Sequence, residues 1–443
     1  MKVLLIGNGA REHAIFKALQ RSSHNPEIIV FAKAKNPGML SASAYELGDI
    51  ENMQQIQEVA KKYNPDFAFV GPDNPISFGA ADALAELDIP SVAPMKTVAR
   101  LEGEKSFTRD LLNKHKIIGN PLFKVFTSES DQEIQDYIQQ ELDGNYVVKF
   151  DGLLGGKGVK VSGEHLATVA EGVEFARDCI DELGRVVIEE KLIGPEFSLM
   201  SFVDGKHQIV MPAIQDHKRA FDGDTGPNTG GMGTYSDADH KLPFITDQDI
   251  KEAKAITQQV LEALHTETGT EYKGIMYGGF MKTKNGTRLI EYNARFGDPE
   301  AMNALGLLDS DFVDICLAVI DGTLDKITTK FKPLASVCLY VVPEGYPDAK
   351  LSDEEMIIHV AKTPIEADLC FASVDLQEET DTYYILKMSG SRALAFTGFA
   401  PTIEQALEIA KQGLQTVSGK VAYRTDIGTK ELIQKRIDLV NSL

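Results

Sequence analysis

The chain has 443 residues, 43% hydrophobic and 25% charged, ordinary values for a globular protein of two to four domains with a sizeable core. A net charge of −21, spread along the chain, argues against nucleic acid or an anionic membrane as a partner. The four cysteines (Cys179, Cys316, Cys338, Cys370) show no C-x-x-C spacing, which supports neither a zinc site nor a disulfide framework and suits a reducing cytoplasm. The N-terminal apolar run is too short for a signal peptide or a membrane span.

The first hundred residues alternate strand and helix. KVLLI (2–6), EIIVF (27–31), DFAFV (66–70) and PSVAP (90–94) read as strands. AREHAIFKALQ (10–20), IQEVAKKY (56–63) and ISFGAADALAEL (76–87) read as the helices between them. Continuous apolar strands separated by amphipathic helices predict a Rossmann-like parallel sheet covered on both faces. Ligands bind beyond the carboxyl ends of such strands, where GNG (7–9), GPD (71–73) and AP (93–94) fall. LEGEKSFTRDLLNKH (101–115) reads as one linking helix, so a first domain is placed at 1–102 and a linker at 103–122. Residues 123–193 are strand-rich (YVVKF, VKVS, RVVIEEKL), with a helix around 165–178, and form a small α+β module. Residues 194–329 hold a helix (248–265) and two strands, IMYGGFMKT and TRLIEYN. From 330 to 443, several β segments precede a helix whose Thr402 and Gln405 fit a capping box, giving a mixed α/β domain packed against the first.

GNGAREH sets Gly7 and Gly9 in a G-x-G-x-x-G frame, but Glu12 stands where helix–sheet packing wants glycine, and no acid ends the second strand. That disfavours a nicotinamide cofactor. A helix N-terminus facing an anion beside Arg11 and a plain turn both fit. KFDGLLGGKGVKV (149–161) is one residue short of a P-loop and has Gly158 where the hydroxyl belongs. It reads as a glycine hairpin, either exposed or serving as a flap whose N–H groups and lysines meet nucleotide phosphates. Lys149 favours the flap, since an ammonium ending an apolar strand needs a reason to be buried.

In VVIEEKLIGPEFSL (186–199) an apolar strand leads to paired acids and a turn bearing Glu196, an arrangement that suits an adenine slot and ribose hydroxyls as well as plain solvation. QDHKRAFDG (215–223) precedes DTGPNTGGMG (224–233), a run too glycine-rich to pack, which implies close approach of backbone to something other than protein. His217 within it reads as structural. In TRLIEYNARFGDPE (287–300) alternate side chains share a strand face, so Glu291, Asn293 and Arg295 project together. A carboxylate and an amide oxygen are suitable ligands for Mg²⁺, and Arg295 beside them is placed to neutralise a transferring phosphoryl group. The plain alternative is an Arg–Glu pair on a solvated face.

Together these blocks resemble the ATP-grasp carboxylate–amine ligases and, within them, the glycinamide ribonucleotide synthetase family. GNGAREH, VGPDNP, LEGEKSFTRDLL, VVKFDGLLGGKGV, VIEEKLIGPEFS, QDHKRAFDGDTGPNTGGMGTYS and IEYNARFGDPE carry the resemblance nearly end to end. It thins over the last hundred residues or so, where SGSRALAFTGFA replaces the more usual Gly-Gly before the arginine. The resemblance implies a multidomain α/β and α+β fold. A pre-ATP-grasp domain (1–102) is followed by an ATP-grasp flap (123–193), an ATP-grasp core (194–329) and a C-terminal domain (330–443). It implies ATP-dependent joining of glycine to 5-phosphoribosylamine through glycyl phosphate, in purine biosynthesis, with Mg²⁺ or Mn²⁺.

By the same resemblance, Lys105, Lys149 and Lys218 hold ATP phosphates beneath a flap of Gly152, Gly155, Gly156, Lys157 and Gly158. Glu189, Glu190, Lys191 and Leu192 line the adenine, and Glu196 meets the ribose. Glu291 and Asn293 bind the metal alone, because GIMYGGFM lacks the acid that many ATP-grasp enzymes carry there. Arg295, Lys218 and Asp216 serve catalysis. Gly9, Arg11, Glu12 and Asp73 grip the ribose phosphate, while Asp224, Asn228, Thr229, Gly230, Gly231, Met232, Gly297 and Asp298 face glycine and the phosphorylated sugar. The competing readings are a bicarbonate-using ATP-grasp carboxylase or other ligase, a dehydrogenase and a nucleotide sensor. The expected setting is cytoplasmic, as a monomer or weak dimer without nucleic-acid or membrane partners.

Overall fold

The computed structural model describes residues 1–153 and 158–443, so Gly155, Gly156 and Lys157 of the expected flap lie outside the described residues. Strands β1 (Lys2–Ile6), β2 (Glu27–Ala32), β3 (Ala44–Leu47), β4 (Phe67–Val70) and β5 (Ser91–Val92) form a parallel sheet in the order β3-β2-β1-β4-β5. β1, β2 and β4 are buried almost throughout, as helices on both faces require. The sequence pattern missed β3, a partly exposed edge strand whose AYEL carries little apolar signal.

The helix expected at 76–87 is two, Asp73–Phe78 and Ala80–Ala85, because Gly79 turns left-handed at φ 100°. The expected linking helix is also two, Lys96–Gly103 and Lys105–Lys114, broken at Glu104, whose backbone is extended (φ −128°, ψ 99°). That break sets Lys105 at the head of the second helix.

The small module is an antiparallel sheet of β6 (Phe123–Phe126), β7 (Tyr146–Phe150), β8 (Val159–Val161) and β9 (Val186–Glu190), ordered β6-β9-β7-β8. Helix Val169–Leu183, begun by a Thr168–Glu171 capping box, closes its separate apolar core.

Next come β10 (Glu196–Asp204), β11 (Gln208–Val210), β12 (Gln215–Asp216), β13 (Arg219–Phe221), β14 (Thr225–Asn228), β15 (Gly233–Ser236), β16 (Lys273–Thr283) and β17 (Gly286–Asn293). β11-β10-β16-β17 form one sheet, backed by helix Asp247–Thr268. β12 and β15 leave that sheet and pair through β15 with strand Ala335–Pro343 of the C-terminal region. The glycine-rich run therefore hangs between the β13–β14 hairpin and a strand of the C-terminal sheet.

The C-terminal region also packs on the first helix. Lys17 donates to Asp368 and to the Leu369 carbonyl, both at 2.6 Å, and Phe371 N donates to His13 Nδ1 at 3.0 Å. Thr402 accepts from Gln405 N at 3.3 Å, but no return bond from Gln405 completes a capping box among the described residues. No helix among the described residues is long and apolar enough to cross a membrane.

The site strands depend on aromatic packing. Phe280 of β16 is fully buried, with ring centroids 5.7 Å from Phe197 and 6.3 Å from Tyr292. Phe280→Ala is expected to lower unfolding free energy by about 3–5 kcal/mol in chemical denaturation. Phe221→Ala, on the exposed hairpin, should shift it by no more than about 0.5 kcal/mol.

Candidate active site

The carbonyl of Ile290, next to Glu291 in β17, receives two cations. Lys149 Nζ from the end of β7 donates to it at 2.9 Å, and Arg109 Nη2 from helix Lys105–Lys114 at 2.7 Å. Between them, buried Glu189 of β9 accepts from Arg109 at 2.6 and 3.1 Å and pairs with Lys149. Burial lowers the Lys149 ammonium below the usual lysine range, with Glu189 opposing the fall. Two strands of the flap module, a helix and the core sheet thus meet in one charge cluster.

Beside it, Lys218 Nζ lies 3.7 Å from Glu196 and 3.9 Å from Glu291. Burial would raise the Glu291 carboxyl, but Lys218, Lys105 and Lys149 outweigh burial and hold it below its ordinary value. Across the ladder Glu291 faces Gly279 and Asn293 faces Tyr277, so no second carboxylate joins them from β16. Lys105 Nζ donates to Gly152 O at 2.9 Å, and Asp151 accepts from Ser106 N at 3.0 Å, tying the base of the glycine hairpin to the helix head. Phe150 N donates to Gly158 O at 2.8 Å on the hairpin's far side.

Arg295 leaves the end of β17 and reaches back over it. Its Nη2 lies 3.0 Å from Glu102, 3.3 Å from Asn293 Oδ1 and 3.9 Å from Asp73. Its buried Nε has no hydrogen-bond partner among the described residues. Arg11 reaches the same loop through Phe296 O at 3.3 Å. The expected contacts Arg11, Asp73, Asn293 and Arg295 are therefore brought together, with Glu102 as an acid that the sequence pattern did not reveal.

Several expected contacts are engaged by the protein itself. Glu12 accepts from Gly9 N at 2.7 Å and from Arg11 at 2.6 Å, so the Gly9 N–H is not free for a phosphate. A methyl on Gly71 would sit 2.3 Å from Glu12, so this side chain fills the turn where a third glycine was expected. Glu190 accepts from Leu122 N at 2.8 Å, Lys191 donates to Ser162 O at 2.9 Å, Glu189 is turned inward to Arg109 and Lys149, and Leu192 follows in the connecting loop.

The glycine-rich run also differs from expectation. Asp224 is held by Arg424 at 2.9 Å and by Arg436, a structural tie to the C-terminal region rather than a substrate contact. Asn228 pairs with Arg219 in the hairpin, and Met232 is buried with its N–H on His217 O at 2.8 Å. Thr229 spends its N–H (2.7 Å) and its hydroxyl (3.0 Å) on Lys218 O. The close approaches that require glycine are to protein: at Gly231 (φ 107°) a methyl would lie 2.6 Å from Asp216 Oδ1, and at Gly230 3.0 Å from Arg392.

What the run does is set walls beside the half-buried carboxyl of Asp216 and the buried one of Glu300. Asp216 is pushed well above its ordinary value by burial and by the neighbouring Glu300, and Glu300 is raised by burial. Tyr277 donates to Glu300 at 2.9 Å, and Gly297 lies against it, where a methyl would come 2.3 Å from Oε2. Asp298 accepts from Tyr340 at 2.5 Å. His217 is structural: buried beside Arg424, it is pushed down to about 4 and stays neutral.

Residues 1–102, 103–301 and 336–430 match, in turn, the N, ATP-grasp (A) and C domains of phosphoribosylglycinamide synthetase. The chain belongs to the phosphoribosylglycinamide synthetase family. A phosphoribosylamine–glycine ligase of Methanosarcina acetivorans is 45% identical, across 100% of this chain and 98% of that one. The crystal structure of a Thermotoga maritima phosphoribosylamine–glycine ligase superposes with a TM-score of 0.78 at 28% identity, over 96% of this chain and 100% of that one. The biotin carboxylase domain of a Hydrogenobacter thermophilus 2-oxoglutarate carboxylase, solved with MgADP and bicarbonate, shares the fold (TM-score 0.68, 15% identity, 99% and 93% covered). This synthetase family accounts for the ATP-grasp arrangement around β17.

The Glu189 cluster makes a checkable demand. Glu189→Gln removes the charge that supports the Lys149 ammonium, so Lys149 should lose its proton at lower pH than in the parent. In calorimetric titration, the loss of ATP·Mg²⁺ affinity with rising pH should then set in at lower pH than it does for the parent. Breaking this buried pair should also lower stability by about 3–5 kcal/mol.

Proposed function

We propose that this chain joins glycine to 5-phosphoribosylamine, with ATP cleaved to ADP and phosphate by way of glycyl phosphate. Its family makes it an ATP-dependent ligase of purine biosynthesis. The observation that carries the residue-level reading is the convergence of Lys149, Lys218, Glu291, Asn293 and Arg295 at the end of β17. The ionised Glu291 and the Asn293 oxygen suit a hard divalent cation, Mg²⁺ or Mn²⁺, and the unpartnered Arg295 Nε suits an anion nearby. Bound there, the cation neutralises charge on phosphate oxygens.

In this reading Lys105, Lys149 and Lys218 hold the phosphates, and the hairpin based on Asp151–Gly152 covers them. Phosphoryl transfer needs chiefly positioning and charge stabilisation, which these residues supply. A glycine carboxylate oxygen attacks the γ-phosphorus, forming an O–P bond and releasing ADP. Arg295 steadies the resulting acyl phosphate. The phosphoribosylamine nitrogen then attacks the carbonyl carbon; the C–N bond forms, the C–O bond to phosphate breaks, and the proton the nitrogen loses leaves with the departing phosphate, beside Asp216. Arg11 and Asp73, across from Arg295, are assigned to the sugar phosphate end. We place the enzyme in the cytoplasm as a monomer or weak dimer.

ADP release should require both glycine and phosphoribosylamine generated in place; dependence on bicarbonate instead would contradict the reading. Arg295→Ala should reduce kcat by about 10²–10³-fold while leaving ATP binding largely intact, as a group acting on the developing charge requires.

A further inference from the structure

Arg392 precedes strand Leu394–Ala400 in the C-terminal region, yet its donors all point out of that region. Its Nη1 donates to the carbonyls of Gly230 (2.6 Å), Gly231 (2.9 Å) and Asp298 (2.9 Å), and its Nη2 lies 3.4 Å from the Asp298 carboxylate. The guanidinium rests 4.5 Å from the centroid of the Tyr340 ring, and the Tyr340 hydroxyl donates to the other Asp298 oxygen. Behind it, the Arg392 carbonyl accepts from Ser373 N at 3.1 Å. Held on every side, this planar fork has little freedom.

The two segments it bridges meet as two walls beside Asp216 and Glu300. On one side the Gly230–Gly231 carbonyls belong to the loop that presses on Asp216. On the other, Asp298 leads through Pro299 into Glu300. The methyl on Gly231 that would meet Asp216 would also lie 2.8 Å from Pro299 Cδ, so both walls and the Asp216 carboxylate converge at that point. Lys218 lies near enough to act electrostatically on both Asp216 and Glu300. Glycines 231 and 297 each stand directly against one of the two carboxyls, where any side chain would collide.

We propose that Arg392 is a positioning residue for the amino-acid substrate: by bonding both walls at once it fixes the width of the slot that glycine enters, and so favours an amino acid without a side chain. This rests on the reading above that loop 230–231 and Asp298 face glycine. The groups Arg392 bonds directly are the Gly230, Gly231 and Asp298 carbonyls, with the Asp298 carboxylate beside them, so the test separates glycine from ATP by measuring both. Lysine is a poor substitute, because one ammonium cannot stand at both positions of the fork, Nη1 at the carbonyls and Nη2 beside the Asp298 carboxylate.

The test uses full-length Arg392→Lys and Arg392→Ala, with steady-state kinetics for glycine and L-alanine and calorimetric titration with ATP·Mg²⁺. Discrimination by a single methyl is typically worth roughly 10–200-fold, and that margin is what Arg392 protects. In both variants the KM for glycine should rise at least about tenfold and the glycine-to-alanine ratio of kcat/KM should collapse toward about one. ATP·Mg²⁺ affinity should stay within about twofold, which also shows that the variants fold. Added guanidinium should partly restore glycine turnover in Arg392→Ala. If the parent is active and both variants keep its glycine KM and selectivity, with only a lower melting temperature, the proposal is overturned while the assigned reaction stands. If ATP affinity falls in parallel with glycine affinity, the slot-specific role is overturned as well. If the parent itself shows no glycine-dependent ADP release, the assigned reaction fails and takes the proposal with it.

Discussion

The site depends on how one backbone oxygen is shared. Ile290 O takes hydrogen bonds from both Lys149 and Arg109, two cations brought to the same point from different elements. Two positive groups that close, out of water, would repel each other; Glu189 compensates by contacting both. The arrangement docks β7 and β9 of the small module onto β17 of the core. Because Glu291 follows Ile290, the same contacts set where the candidate cation ligand stands relative to Lys149 and Lys218. Removing Glu189 leaves two buried cations without their shared carboxylate, so the cluster ties the small module to the core.

The glycine-rich run illustrates a different constraint. Its small residues make room for protein groups: Asp216 beside Gly231, Arg392 beside Gly230, and the carbonyl of Cys338 2.4 Å from where a methyl on Gly233 would sit. These contacts arise because β12 and β15, which flank the run, belong to the C-terminal sheet. Side chains from the last hundred residues therefore help shape the site, with Arg392 reaching the loop and Arg424 and Arg436 holding Asp224 at its start.

How much of this was legible in the sequence follows from the range of the interactions. Strand alternation put Glu291 and Asn293 on one face, and Arg295 does reach Asn293, a contact two residues away. The burial of Lys149 was legible from its place at the end of an apolar strand. Arg109, Glu102 and Glu300 were not, because their partners lie 80 or more residues away, or in a fold the pattern cannot show. Two helix breaks were missed for local reasons, since Gly79 reads as a tolerated glycine and Glu104 as a good helix former. The two arginine partners of Asp224 were hidden too, because Arg424 and Arg436 lie 200 or more residues away in the chain.

The claim on which this account rests is that the end of β17 is where a divalent cation and a triphosphate meet. A crystal grown with Mn²⁺ and a non-hydrolysable ATP analogue tests it directly through anomalous scattering. The account predicts a manganese peak within coordination distance of the Glu291 carboxylate and the Asn293 amide oxygen, with the analogue's phosphates between Lys149 and Lys218. A peak and phosphates elsewhere, with Glu291 and Asn293 contacting neither, would contradict it.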